Sequence, residues 1–187
     1  MIRVVIADDH AVVRRGLVQL FGGTEDIEIV AAAAGGTEAV TLVDGHRPDL
    51  VIMDLSMPGM DGVEATRAIR ANHPELPVVI LTSFSERERI LDAIDAGAVG
   101  YLLKDADPDE LLRGVRAAAT GDAPFSPRAA KALLAFGDRR RNGDGLTARE
   151  RQILALVGHG MTNQAIARQL SISLKTVKAH LSNIFQR

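Results

Sequence analysis

The sequence predicts an α/β domain, a (βα)5 arrangement with a five-stranded parallel sheet, followed by a small all-α helix-turn-helix domain. Three observations predict it. Short apolar strands alternate with helical stretches five times between residues 2 and 119, and strands joined through helices lie parallel with both faces covered. From Leu146 the pattern is purely helical. Charge is also partitioned. Residues 1–120 carry 11 Lys/Arg against 20 Asp/Glu, whereas residues 138–187 carry 9 against 3, so the net −2 joins an acidic part to a basic one. Only the basic part suits a polyanionic partner.

The elements follow in order. Residues 2–7 are an apolar, β-branched run and predict a buried strand. Residues 11–22 predict a helix closed by Gly22–Gly23. Ile27–Ala32 predicts the second strand, Gly36–Val43 a helix and Asp49–Met53 the third strand. A helix is expected over 61–72, with Pro74 and Pro77 in the loop beyond it. Val78–Thr82 is the fourth strand, Glu86–Ala96 a helix ended by Gly97, and Val99–Leu102 a short fifth strand. Pro108 opens the last helix of this domain, through about Ala119. These elements give domains at 1–120 and 146–187 with a linker over 121–145, in which Ala129–Ala135 extends as a helix and Arg139–Gly145 is exposed. In the basic domain, Thr147 and Glu150 have capping-box spacing, Thr162 caps Asn163–Leu170, and Ser173 caps Leu174–Phe185. Two helices joined through Ser171–Ile172 in a basic domain predict helix-turn-helix.

Composition removes several functions. No cysteine means no disulfide framework, thiol nucleophile or Cys-ligated metal centre. Aromatic residues are 3% of the chain, too few for a base-stacking platform. No apolar stretch approaches ~20 residues, and the N-terminus lacks the regions of a signal peptide, so a soluble, cytoplasmic protein without membrane contact is expected.

The acidic domain places Asp8 and Asp9 after the first strand and Asp54 after the third. The carboxyl ends of parallel strands share one crevice, where ligands bind. Three carboxylates gathered there repel one another unless a cation compensates, and a hard divalent ion such as Mg²⁺ also binds phosphate oxygens. Thr82 ends the fourth strand with a hydroxyl, and Lys104 follows the fifth with an ammonium. Together these groups suit an in-line phosphoryl transfer with Asp54 as nucleophile. Loop chemistry explains any one of these residues equally well, but not the set.

Residues 1–120 resemble the receiver domain of two-component response regulators. The resemblance rests on Val4–His10, Ile52–Gly62 (IMDLSMPGMDG), Val79–Thr82 and Gly97–Lys104 (GAVGYLLK). It implies that Asp54 is the phosphoacceptor for a sensor histidine kinase. It also implies Mg²⁺ (or Mn²⁺) held by Asp54, by Asp9 directly, by Asp8 through water, and by the backbone carbonyl of Ser56. Lys104 then pairs with the phosphoryl group, Thr82 is the switch hydroxyl, and Tyr101 is the aromatic that moves inward. Ser56 and Phe84 bear on water reaching the acyl phosphate. His10 is expected to do surface or capping work, and Arg14 and Arg15 to help dock a phosphodonor domain.

Residues 146–187 resemble the LuxR-type helix-turn-helix of the NarL/FixJ regulators, through LTARERQILALVGHG (Leu146–Gly160) and MTNQAIARQLSISLKTVKAHLSNIF (Met161–Phe185). Ile153, Leu154, Leu156, Val157, Ile166, Ala167, Leu170, Ile172, Val177, Leu181 and Ile184 form a three-sided core at helical spacing. The resemblance places Leu174–Phe185 in the DNA major groove, with Lys178, Ala179 and Ser182 at base-reading positions. Lys175, Thr176 and His180 share that helix, and Thr162, Asn163 and Gln164 match a backbone-contacting region. A fourth helix follows in the family and makes the DNA-binding dimer. Because this sequence stops at Gln186–Arg187, the output domain is expected to be C-terminally incomplete, with weaker DNA binding.

The expected function is a transcriptional switch rather than a turnover enzyme. Phosphorylation of Asp54 changes DNA binding by a protein that forms a homodimer when active. Two alternatives are a DNA-binding regulator that needs no phosphorylation, and a signalling or phosphotransfer protein whose partner is another protein.

Overall fold

The computed structural model describes residues 1–83, 89–122, 124, 130, 134 and 146–185, apart from the side chains of residues 90, 91, 182 and 185. The chain divides into two compact units, Met1–Pro124 and Phe125–Arg187. The first unit runs β1 (Ile2–Ala7), α1 (Ala11–Gly22), β2 (Ile27–Ala33), α2 (Gly36–His46), β3 (Leu50–Met53), α3 (Gly62–Asn72), β4 (Val78–Thr82), α4 (Arg89–Asp95), β5 (Gly100–Leu103) and α5 (Pro108–Ala119). The five strands form one parallel sheet in the order β2-β1-β3-β4-β5. Every residue of β3, β4 and β5 is buried, as helices on both faces require, and this is why these strands read as continuous apolar runs. One layer of the core joins Val4, Ile6, Ile52, Leu81 and Leu102 of the sheet to Leu17 and Phe21 of α1 and Val115 of α5.

The strand order decides where a ligand can bind. The chain leaves β1 for β2 and then crosses back to β3, so the winding reverses between β1 and β3 and opens a crevice at their carboxyl ends. Ala7 pairs with Met53, so the residues that follow, Asp8 and Asp54, emerge side by side.

Several element ends differ from the sequence expectation. Asp49 lies before β3 and exchanges hydrogen bonds with Arg3: its amide donates to the Arg3 carbonyl, and its Oδ2 accepts from the Arg3 amide at 2.8 Å. Asp61 is the extended cap of α3, not its first turn. Its Oδ1 accepts from the Glu64 amide at 2.9 Å, and Glu64 Oε2 accepts from the Asp61 amide at 3.2 Å. Helix α2 continues to His46, where Arg47 adopts a left-handed φ of 45°. Strand β5 starts one residue later than expected, since its ladder with β4 runs from Val79–Gly100 to Thr82–Leu103. On its outer edge the Tyr101 amide donates to the Pro124 carbonyl at 2.8 Å. Gly100 permits that approach, because a Cβ there would lie 2.5 Å from Pro124 Cγ. Residues 86–88 of the expected fourth helix lie outside the described residues, as do Arg139–Gly145 and, apart from Ala130 and Leu134, the helix expected over Ala129–Ala135.

The described part of the second unit holds α6 (Ala148–Gly158), α7 (Asn163–Gln169) and α8 (Leu174–Phe185). All three expected caps form. Thr147 and Glu150 make a reciprocal capping box, Thr162 Oγ1 accepts from the Ala165 amide, and Ser173 Oγ accepts from the Thr176 amide. Ser171, with φ of 52°, makes the left-handed turn between α7 and α8. Ile153, Leu154, Val157, Ile166, Ala167, Val177, Leu181 and Ile184 are buried, as expected. Leu156, Leu170 and Ile172 are only half-buried, because three short helices leave a rim that no further element among the described residues covers. The burial of the Glu150 side chain, 3% exposed, was not expected from its type.

Candidate functional site

The first candidate site is a carboxylate cluster at the switch point. Backbone pairing sets its geometry. The Asp54 amide donates to the Ala7 carbonyl at 2.8 Å, the Asp8 amide to the Ala33 carbonyl at 3.1 Å, and the Lys104 amide to the Thr82 carbonyl at 2.9 Å. Asp8 and Asp54 are each 1% exposed and Thr82 is fully buried, in a region where charged groups rarely sit unless paired. Lys104 supplies the pairing. Its Nζ lies 2.7 Å from Asp54 Oδ2 and 2.9 Å from Asp8 Oδ2. Burial alone pushes the Lys104 ammonium down, but its hydrogen bonds and charge interactions with Asp54 and Asp8 together outweigh this and raise it above the ordinary lysine value.

Asp9 is partly exposed and faces His10, whose Nδ1 lies 2.7 Å from Asp9 Oδ1 and 3.6 Å from Asp8 Oδ1. His10 stands at the cap position of α1, but its ring makes no cap hydrogen bond. Its backbone amide instead donates to Asp8 Oδ1 at 2.8 Å. Donor atoms of Asp8, Asp9, His10 and Asp54 all lie within 4.8 Å of one another. Three convergent carboxylates offer the oxygen donors that a hard divalent cation takes, and the one ammonium of Lys104 does not balance three carboxylates.

Around this cluster the backbone is tightly packed. A Cβ on Gly62 would lie 1.9 Å from the Asp54 carbonyl oxygen, so α3 can start here only with glycine. Arg14 donates to the Asp8 carbonyl at 2.6 Å, which gives it a structural task beyond the docking role expected from its position; Arg15 is exposed. Tyr101 is 2% exposed, so its ring is already inside. Thr82 Oγ1 donates to the Ser83 carbonyl at a long 3.4 Å. Phe84 lies outside the described residues. Local pattern does not point to Arg89, which opens α4 and donates to the Ser56 hydroxyl at 3.1 Å, the Leu55 carbonyl at 3.3 Å and Asp61 at 2.5 Å. A lone arginine in a charged helical stretch carries no signal that it folds back onto the loop after Asp54.

The second candidate site is the surface of α8 and the start of α7. Lys175, Ala179, Thr162 and Gln164 are exposed, while Thr176, Lys178, His180 and Asn163 are half-buried. Thr176 Oγ1 lies 2.7 Å from Ser173 Oγ, so its hydroxyl is engaged in the cap of α8. The side chain of Ser182 lies outside the described residues.

Residues 4–116 match the family described as response regulator receiver domain, and residues 144–187 match bacterial regulatory proteins, luxR family. The chain is 40% identical over 190 residues to the uncharacterized transcriptional regulatory protein YhcZ of Bacillus subtilis, covering 99% of this chain and 88% of that one. It is 38% identical over 191 residues to the transcriptional regulatory protein LiaR of the same organism, covering 100% and 90%. Among solved structures, the response regulator ChrA of a heme-sensing two-component system superimposes with a TM-score of 0.62 at 40% identity, over 98% of this chain and 88% of that one.

Proposed function

Because this chain belongs to the two-component response regulators, with a receiver domain and a LuxR-type DNA-binding domain, we propose that Asp54 accepts the phosphoryl group and that its phosphorylation switches DNA binding by α8. The observation that carries this reading is the buried Asp54 carboxylate, 2.7 Å from Lys104 and beside Asp8 at the sheet's switch point. Asp54 Oδ attacks phosphorus as the bond to the histidine nitrogen of the kinase breaks, and the electron pair leaves with that nitrogen. Asp8, Asp9, Asp54 and the Ser56 carbonyl would hold Mg²⁺ or Mn²⁺, which supplies charge neutralisation at the phosphoryl oxygens. Lys104 is close enough to Asp54 to turn from carboxylate to phosphoryl oxygen without crossing the site.

The transmitted change follows from the same residues. A phosphoryl group adds charge and three strong acceptors at Asp54. Thr82 supplies a buried hydroxyl at the end of β4, and Tyr101 stands on the neighbouring strand, in register with Ile80. The buried Tyr101 ring supports a pre-existing inward state that phosphorylation stabilises rather than creates.

In the output domain, Lys178, Ala179 and Ser182 read base edges. Lys175, Thr176, His180 and the segment Thr162, Asn163 and Gln164 serve phosphates and positioning. The exposed Lys175 and the basic balance of residues 138–187 support contact with double-stranded DNA. We place the functional boundaries at 1–120, 121–145 and 146–187, and the active form is a homodimer that pairs DNA half-sites. No helix among the described residues is long and apolar enough to cross a membrane. The cytoplasm, where kinase phosphodonor and chromosome meet, is the expected compartment. The test is an anisotropy titration on genomic DNA fragments with untreated protein, acyl-phosphate-treated protein and Asp54→Ala. Tighter binding only by treated wild-type protein is expected, and equal affinity in all three sinks the switch.

A further inference from the structure

We propose that Arg89 is a positioning residue for the Asp54 site, clamping the loop that carries the Ser56 carbonyl and thereby setting divalent-cation affinity and the lifetime of the phosphorylated form. The inference rests on the reading of Asp54 as phosphoacceptor and of the Ser56 carbonyl as a cation ligand. The guanidinium binds three points of one loop: Leu55 O at 3.3 Å, Ser56 Oγ at 3.1 Å and Asp61 Oδ2 at 2.5 Å. These span the whole turn from the residue after Asp54 to the cap of α3. An isolated ion pair of this exposure, 31% on each side chain, contributes little by itself. This one differs because a planar fork joins three acceptors and an element of its own, α4, to the loop.

A backbone contact anchors the same loop. The Gly62 amide donates to the Leu55 carbonyl at 3.0 Å, so that oxygen accepts from two sides. The Asp61 carboxylate splits its oxygens, Oδ1 to the α3 cap and Oδ2 to Arg89. Asp61 cannot release Arg89 without one carboxylate oxygen losing its partner. Without Arg89, the loop that carries the Ser56 carbonyl loses its contacts at Leu55, Ser56 and Asp61 together, and the direction of that carbonyl is less firmly held. Groups that orient a metal ligand from outside affect metal affinity strongly. A looser loop also opens a path for water to the acyl phosphate.

The test uses the full chain. Mg²⁺ affinity of unphosphorylated protein is measured by isothermal titration, and loss of the phosphoryl group is followed on Phos-tag gels after treatment with acetyl phosphate at saturating Mg²⁺. Arg89→Ala is expected to raise the Mg²⁺ Kd on the order of tenfold and to shorten the phosphoryl lifetime several-fold. Arg89→Lys keeps the charge opposite Asp61 but cannot span three acceptors, and it should fall between wild type and Arg89→Ala. Ser56→Ala should shift both readings in the same direction by less. A folded Arg89→Ala with wild-type Kd and lifetime overturns the proposal; if that variant does not fold, a wild-type Kd in Arg89→Lys overturns it. Failure of the underlying reading looks different, because Asp54→Asn would then still acquire the phosphoryl group.

Discussion

The two units place their functional groups in opposite environments. In the first, the carboxylates of Asp8 and Asp54 and the Thr82 hydroxyl are buried at the strand ends. In the second, the DNA-facing candidates other than Ser182, whose side chain is not described, are exposed or half-buried on helices whose core lies behind them. The difference follows from the chemistry each must do. Phosphoryl transfer gains from a low-dielectric pocket in which a few charges act strongly. Contact with a polyanion needs side chains that stay hydrated until they displace counterions. The first site therefore couples function to stability, and the second largely separates them.

Substitutions can break or sharpen that contrast. The largest effect is expected at Gly62. Gly62→Ala forces a Cβ to within 1.9 Å of the Asp54 carbonyl, and overpacking a site that cannot yield costs about 3 kcal/mol. Urea unfolding should show that loss together with failed phosphorylation. A Gly62→Ala protein with normal stability removes the claimed coupling. Next is Lys178→Ala on α8. It should weaken DNA binding by about 1–3 kcal/mol with a much smaller effect on stability, measured by anisotropy and circular dichroism. A matching loss of stability would erase the contrast.

Glu150→Ala sharpens the comparison from within the second unit. Glu150 is buried and bonds the Thr147 amide at 2.7 Å, so its loss should cost about 1 kcal/mol of stability while the DNA-facing side chains stay in place. The smallest effect concerns Asp26, held at a carboxyl pKa of about 2, chiefly by its hydrogen bond with Arg116. A depressed carboxyl pKa stabilises the fold above the unfolded value of about 3.9. That contribution disappears as pH falls through about 2. Asp26→Asn should flatten that part of the acid limb slightly, with salt weakening the difference further, as read by melting temperature between pH 2 and 5.

Much of this was legible in sequence because it is local. The alternation of strands and helices, the caps at Thr147, Thr162 and Ser173, and the placement of Asp8, Asp9, Asp54, Thr82 and Lys104 at strand ends all depend on neighbours a few residues apart. Element ends were less legible. Asp61 reads as a helical residue until the capping box places it outside α3, and Val99 reads as strand until the ladder with β4 begins at Gly100. The rim positions Leu156, Leu170 and Ile172 share the core's spacing but not its burial, since periodicity marks a face and not its edge.

Fold class, the acidic and basic division, and the residue types of both candidate sites follow from the amino-acid sequence, because hydrophobic period and capping act over one or two turns of chain. Which distant groups meet, and at which atoms, is set by the three-dimensional packing. Lys104 bridges Asp54 and Asp8, and Arg89 returns to Ser56 and Asp61 across 28 residues or more. The physical reason is that these contacts depend on strand order and on the reach of long, flexible side chains, and neither is written in local periodicity.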